Sequence, residues 1–188
     1  MSTITEAETM ETNTGSNDGT HAIPDAATLE NDLIEVANSV TEFSATQGEN
    51  NWYYGYYNGG ELNQNNFHQF QNYNNNGTFW DIDSTYYTRL RPDGGHPHGP
   101  ISTKPTSGIV HWTVRRWIAE SSGEFQITGI FDDTNKGGGG DGVEGFITVN
   151  GEIVYSQIAT NSTAAYNYNV HIQLSQGDVV DFVTSPRT

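Results

Sequence analysis

The sequence contains no cysteine, few basic residues and no long apolar run. Without cysteine the chain can form neither disulfides nor thiolate metal sites. It has 7 Lys and Arg against 23 Asp and Glu, and the resulting net charge of −16 repels nucleic acid. No stretch of 18 apolar residues is present, so no membrane span is predicted. No basic region followed by an apolar one opens the chain, so no secretion signal of that kind is visible.

Aromatic residues and glycine are abundant instead. Hydrophobic residues make up only 34% of the chain, while aromatics reach 12% and glycine occurs 21 times, which favours a β-rich, loop-rich protein. Alternation of apolar and polar residues predicts strands at 110–118, 125–131, 146–149, 166–174 and 179–183. Asn150-Gly151 between apolar residues predicts a tight hairpin. We therefore predict an all-β protein, a jelly-roll-like antiparallel β-sandwich over residues 41–188.

Residues 1–40 are predicted to form a separate, acidic N-terminal arm. This arm is rich in Asp and Glu and contains neither Lys nor Arg. Such a segment buries too little apolar surface to offset its ordering entropy, which favours a disordered tail. The alternative is an arm that donates a strand to a sheet. Apolar spacing over residues 25–38 favours a short helix, with an extended strand as the alternative.

The densest motif is a run of aromatic residues at 52–57, surrounded by Asn, Gln and Gly. Tyr and Trp combine an apolar ring with a polar tip, so they suit the binding of sugars or of other protein chains. The other reading is core packing, because alternate side chains of a strand point to opposite faces. The candidate ligand-binding residues are Trp52, Tyr54, Tyr56, Tyr57, Trp80, His96, Trp112, Arg115 and Trp117.

Two further motifs carry charge or metal-binding groups. Arg115 and Arg116 are adjacent on a predicted strand, so their side chains point to opposite faces. We expect the inward one to pair with a carboxylate and the other to stack on an aromatic ring. His96 and His98 flank a proline in a glycine-rich loop, which is consistent with either a transition-metal site or a shaped loop.

An acidic, glycine-rich loop suggests a cation site. Four consecutive glycines at 137–140 are flanked by carboxylates, and glycine lets backbone carbonyls approach one another. Carboxylates and carbonyls are the ligands that Ca²⁺ prefers, so Ca²⁺ is the predicted metal, with a solvated acidic turn as the alternative. The candidate ligands are Asp132, Asp133, Asp141 and Glu144. No organic cofactor is expected, and no Gly-x-Ser-x-Gly motif is present, so the protein is predicted not to be an enzyme.

Several short motifs occur together in one order: SATQG at 44–48, NWYYGYY at 51–57, DGGHP at 93–97, VRRW at 114–117, GGDGV at 139–143, VNG at 149–151 and GDVVDFV at 177–183. In combination they resemble a jelly-roll module of secreted cyanobacterial and planctomycete proteins, which is similar to carbohydrate-binding modules. The resemblance covers about residues 43–183. It implies a non-catalytic, extracellular or cell-surface domain associated with glycans.

The resemblance also implies a second function. Members of that family continue past the strand that matches 177–183 and close the sandwich with one more strand, whereas this sequence stops at Thr188. A sheet without that strand exposes unpaired N–H and C=O groups, which must be covered. We therefore predict two alternatives: a carbohydrate-binding or adhesion domain, or a surface filament or tube subunit that polymerises by donating its N-terminal strand. The predicted partners are a glycan or other copies of the chain.

Overall fold

A computed structural model describes residues 2–7, 33–101, 103–137 and 140–187. They form fourteen strands and two short 3-10 helices, Glu49–Asn51 and Gln64–Asn66. The first eight strands are β1 (Ser2–Ala7), β2 (Leu33–Asn38), β3 (Trp52–Asn58), β4 (Phe67–Gln69), β5 (Asn72–Asn74), β6 (Phe79–Asp81), β7 (Arg89–Arg91) and β8 (Gly94–His96). The others are β9 (His111–Ile118), β10 (Gly123–Phe131), β11 (Val143–Val149), β12 (Glu152–Ala159), β13 (Tyr166–Leu174) and β14 (Val179–Pro186).

The strands are arranged in three antiparallel sheets. The first sheet has the order β13-β10-β1-β2, and the second has the order β12-β11-β14-β9-β3-β4. A smaller third sheet, β5-β6-β7-β8, is built from the short strands between β4 and β9. The all-β prediction is confirmed, and the antiparallel sheets agree with a β-sandwich. The jelly-roll assignment stays a prediction.

The main core lies between the first two sheets. Alternate residues of each strand point into it, for example Ile127 from β10, Trp52 and Tyr54 from β3 and Trp117 from β9. A second, smaller cluster covers the opposite face of the second sheet, where Tyr57, Val114, Phe146 and Val183 pack together. The second sheet is therefore apolar on both faces, which explains why its strands carry more large apolar residues than strict alternation requires.

The predicted hairpin is present between β11 and β12. Val149 pairs with Glu152, and the two residues between them have positive φ, 49° at Asn150 and 88° at Gly151. Both values are those of the tight turn that matches the twist of two antiparallel strands. The strands predicted from alternation lie in β9, β10, β11, β13 and β14.

The predicted helix over residues 25–38 is wrong where the structure describes it. Residues 33–38 form β2, and residues 25–32 lie outside the described residues. The extended alternative prevails because β1 offers hydrogen-bond partners along the length of β2. Of the segment predicted to be disordered, Ser2–Ala7 forms β1, and residues 8–32 lie outside the described residues.

Candidate functional site

Five of the predicted ligand-binding residues belong to the core. Trp52 and Tyr54 are 0% exposed, Tyr57 and Trp117 are 1% exposed, and Trp80 is 5% exposed. A sugar platform needs rings whose faces are open to solvent, so these five side chains do not provide one. The strand alternation that made core packing the alternative interpretation accounts for their burial.

The polar tips of the buried rings bind the protein itself. Trp52 Nε1 donates to Glu42 Oε2 at 2.8 Å, and Trp80 Nε1 donates to the Ser44 carbonyl at 2.8 Å. Tyr54 Oη accepts from the Ser44 N–H at 3.1 Å. All three bonds fix the segment that leads from β2 into β3. The amphipathic rings therefore anchor a connection within the protein, which agrees with the packing interpretation of the aromatic run.

The other three ring-bearing candidates keep part of their surface exposed. Tyr56 is half-buried and stacks on His68 with 5.3 Å between ring centroids. Trp112 is half-buried and stacks on Phe146 at 5.5 Å. His96 is exposed and stacks on the Tyr87 ring with 5.2 Å between ring centroids. These residues belong to β3, β9 and β8, and each has a different ring partner.

The histidine motif forms a shaped loop. His98 is buried, and its Nδ1 accepts from the Tyr87 N–H at 3.1 Å while Nε2 lies 3.3 Å from the Thr106 carbonyl. Both ring nitrogens are thus engaged by neighbouring groups, which leaves neither for a metal. The buried His111 is 3.0 Å from the Thr88 hydroxyl through its Nδ1. Burial, together with His98 and His68, lowers the pKa of His111 to about 4.

The outward Arg116 stacks on an aromatic ring as expected, and it also pairs with the carboxylate that was expected for the inward arginine. Arg116 is bidentate to the buried Asp181, at 2.7 and 2.8 Å, and also lies 4.0 Å over the Phe67 ring. Tyr57 Oη donates to the same carboxylate. The inward residue, Arg115, donates instead to main-chain carbonyls of Ser39, Arg91 and Pro92. A guanidinium with five donors can satisfy several carbonyls at once, so it needs no carboxylate here.

Three of the predicted Ca²⁺ ligands lie in the acidic loop between β10 and β11, and the fourth lies on β11. Asp132 bonds Lys136 Nζ at 2.5 Å, Asp133 accepts from the Asn135 N–H at 3.0 Å, and the Asp141 carbonyl accepts from Arg187 at 3.0 Å. Glu144 lies on β11. Within the described ranges, no three side chains of metal-binding type come together. Ca²⁺ binding stays a prediction.

The most unusual site is the position of β1 within the first sheet. β1 lies between β10 and β2 and pairs antiparallel with both, over five residue pairs on each side. Its central residue Ile4 is 0% exposed and faces Ile127 on one side and Ala37 on the other. Among the described strands, β2 pairs with β1 alone. The first strand of the chain is therefore an internal strand that joins β2 to the rest of the sheet.

The connection after β1 is long for the distance it covers. Ala7 and Leu33 are direct partners in the β1–β2 ladder, yet the whole segment 8–32 separates them in the sequence. Antiparallel neighbours need only a two-residue turn to connect, and their Cα atoms lie about 5 Å apart. A segment as long as 8–32 spans up to about 80 Å when extended. Its length is thus compatible with β1 entering either its own sheet or that of another chain.

No family model, curated protein or solved structure matches this chain. In the described part of the chain, no helix has the length and apolar character needed to cross a bilayer. The class of protein rests on the fold alone: an all-β, sandwich-like protein with an inserted first strand.

Proposed function

We propose that this protein is a non-catalytic structural subunit that assembles with copies of itself by strand exchange, with β1 of one copy completing the first sheet of the next. The observation that carries the proposal is the internal position of β1, which pairs on both sides although the long segment 8–32 separates it from its neighbour β2. Strand addition of this kind uses main-chain hydrogen bonds for affinity and alternate side chains for specificity.

The groove that β1 fills favours occupation by a strand. Without β1, the facing edges of β10 and β2 would expose unpaired N–H and C=O groups. Ile127 and Ala37, both 0% exposed beside Ile4, would lose their cover. A chain whose own β1 has been donated elsewhere therefore needs a replacement. Another copy of the same chain provides a strand with the right pattern.

The symmetry of the exchange decides the product. Two chains that swap β1 reciprocally form a closed dimer, while a chain that gives β1 to one neighbour and accepts from another forms an open series. We favour the open series, a filament or tube, and an extracellular or cell-surface location stays part of this proposal. After cross-linking, products larger than a dimer indicate an open series, whereas a closed dimer gives a single product of twice the chain mass.

A disulfide test is available because the chain has no cysteine of its own. Thr3 on β1 pairs with Thr128 on β10, and antiparallel partners lie within the Cα separation that a disulfide accepts. Chains carrying Thr3→Cys and chains carrying Thr128→Cys are mixed, unfolded, refolded together and oxidised. We expect a covalent product of twice the 20.7 kDa chain that contains one copy of each variant.

The matched control uses a pair of facing residues on two strands, β10 and β13, that are not proposed to exchange between chains. Thr128 also faces Asn169 on β13, so chains with Thr128→Cys mixed with chains carrying Asn169→Cys report random collision or wholesale exchange. A heterodimer yield no greater for Thr3→Cys than for Asn169→Cys would overturn the proposal. So would a Thr3→Cys/Thr128→Cys double variant that cross-links only within its own chain at every protein concentration.

Carbohydrate binding is the second candidate function. The partly exposed Trp112 provides a fluorescence test for it. The other three tryptophans are buried, so a glycan that perturbs Trp fluorescence at the surface acts through Trp112. We expect a true glycan ligand to shift the emission of the wild type and to leave Trp112→Phe unchanged. If no glycan of a panel shifts the Trp emission of either protein, this candidate function is excluded.

A further inference from the structure

The first residue of β1 lies in a buried polar pocket formed by Ser39, Arg115 and Tyr168, here called the Ser2 pocket. The Ser2 N–H donates to Ser39 Oγ at 2.9 Å, and the Ser39 N–H donates to the Ser2 carbonyl at 2.9 Å. Ser2 Oγ and Tyr168 Oη share a hydrogen bond of 2.5 Å. Both serines are buried. The main chain and the hydroxyl of one small residue are thus all bonded at the start of the strand.

Arg115 holds the pocket in place. Its guanidinium donates to the Ser39 carbonyl at 2.6 Å and to the Arg91 carbonyl at 2.6 Å, which ties the turn after β2 to the end of β7. Burial lowers the pKa of Arg115 to about 10, and burial raises the pKa of Tyr168 to about 12. Both groups therefore keep their protons at neutral pH, and both remain hydrogen-bond donors.

The alternation of side chains along β1 does not by itself fix its register. Ser2 and Ile4 face the core, while Thr3 and Thr5 are half-buried on the other face. A shift of two residues keeps every side chain on its own face, so alternation does not prevent it. The Thr5 hydroxyl donates to the Gln126 carbonyl at 3.2 Å, a contact that any carbonyl two residues away can replace. Something else must fix the register.

We propose that the Ser2 pocket is the recognition site for an incoming strand: it selects a small hydroxyl residue two positions before an apolar residue and thereby fixes the register. This inference rests on the proposed function and names its partner, which is β1 of a second copy of this chain. The Ser-Thr-Ile sequence at 2–4 has the required pattern. The pocket hydrogen-bonds the hydroxyl. Two residues further along the strand, the apolar site beside Ile127 and Ala37 accommodates the apolar side chain.

Both shifts of two residues conflict with these two positions. If Thr3 moves opposite Gln126, Ser2 leaves its pocket, and its hydroxyl enters the apolar position of Ile4. If Thr3 moves opposite Ile130, Ile4 enters the polar pocket, and Tyr168 Oη loses its hydrogen bond to Ser2 Oγ. A buried polar group that loses its hydrogen bond is costly, so both shifts are disfavoured.

Disulfide trapping in the full chain measures the register directly. Thr3→Cys/Thr128→Cys reports the native register, and Thr3→Cys/Gln126→Cys reports the shift that withdraws Ser2, because diagonal residues in the native ladder are about 7–8 Å apart and too distant to join. Each cysteine pair is made in three chains: one with no other change, one that also carries Ser2→Ala, and one that also carries Tyr168→Phe. Tyr168→Phe removes a single oxygen and keeps the ring. The control is Thr5→Ala, which removes a hydroxyl from the same strand outside the pocket.

We expect the ratio of native to shifted cross-link to fall about 10-fold with Ser2→Ala and with Tyr168→Phe, which corresponds to about 1.4 kcal/mol, and to stay unchanged with Thr5→Ala. An unchanged ratio in both pocket variants, or an equal fall with Thr5→Ala, would overturn the role of the pocket. The ratio includes disulfides within one chain and between chains. If the pocket variants lower the ratio but all disulfides are intramolecular, the pocket is supported and strand exchange is refuted. If intermolecular disulfides form but the pocket variants leave the ratio unchanged, strand exchange is supported and the role of the pocket is refuted.

Discussion

His111 is a buried residue whose protonation links stability to pH. It is buried beside Thr88, and its pKa of about 4 in the folded protein is well below the ordinary value of 6.5. The folded state therefore resists a proton that the unfolded chain accepts. The stability contributed by neutral His111 is complete above pH 6.5, and it is lost as the pH falls from 6.5 towards 4.

A variant without this titration should be less sensitive to acid. Between pH 7 and pH 4.5 we expect the wild type to lose about 2 kcal/mol more unfolding free energy than His111→Gln, measured by urea denaturation at both pH values. His171→Gln is the control, because His171 is exposed and should behave as the wild type does. Equal acid losses in His111→Gln and the wild type would contradict the assignment.

The ion pair on the other face of the second sheet gives a second prediction for a single residue. Asp181 is 0% exposed and bonds Arg116 and Tyr57. Arg116→Met leaves the buried carboxylate without its cation, so we expect a loss of about 3–5 kcal/mol in urea denaturation at pH 7. Arg187→Met is the matched control, since Arg187 is exposed and should cost less than about 0.5 kcal/mol. Similar small losses in both variants would show that Asp181 does not depend on Arg116.

Among the elements, β1 combines an apolar anchor with pairing on both sides. Ile4→Ala removes a side chain that is 0% exposed, so we expect a loss of about 2–5 kcal/mol in urea denaturation. Ile153→Ala on β12 is the control, because Ile153 is 53% exposed and should change stability by less than about 0.5 kcal/mol. A loss no greater for Ile4→Ala than for Ile153→Ala would mean that β1 does not occupy the sheet in solution.

The elements also mark how far the sequence predicts the structure. Strands with regular alternation, such as β13, and turns with a specific chemistry, such as Asn150-Gly151, are predictable because their signals are local. The sequence of β2 is ambiguous, because its partner β1 lies beyond the long segment 8–32 and supplies the bonds that decide its conformation. The alternation of β13 already places Tyr168 inward, but nothing local indicates that it meets Ser2 near the other end of the chain.

The aromatic run at 52–57 shows the same limit for the candidate site. Its composition fits either a binding surface or a core, and the choice depends on what covers each face of β3. Here both faces are covered, since Trp52 and Tyr54 belong to the main core and Tyr57 belongs to the second cluster. A two-sided sheet cannot be recognised from one strand. The pairing of Arg116 with Asp181 escapes sequence reasoning for a related reason, because the two partners lie on strands far apart in the chain.

For the whole molecule, the outcome of folding should depend on protein concentration. Pairing of β1 with its own sheet is intramolecular, whereas exchange requires a second chain, so mass action favours exchange in concentrated solution. We expect refolding from urea at about 100-fold higher protein concentration to yield a larger share of oligomers by size-exclusion chromatography with light scattering.

The control is the Thr3→Cys/Thr128→Cys chain, purified as its internally cross-linked form and refolded without reductant. Its β1 is tied to its own β10, so it should remain monomeric at both concentrations. Oligomers that form equally from the tied chain would mean that the copies associate through another surface.

The internal position of β1 also has a mechanical consequence. The hydrogen bonds of an antiparallel ladder run perpendicular to the strands, so a force along β1 loads the ladders in shear and spreads over five pairs on each side. A pull at the end of an edge strand would instead open the bonds one at a time. Subunits joined through β1 would therefore resist stretching along the fibre far better than peeling from the side, which suits a thread that carries tension.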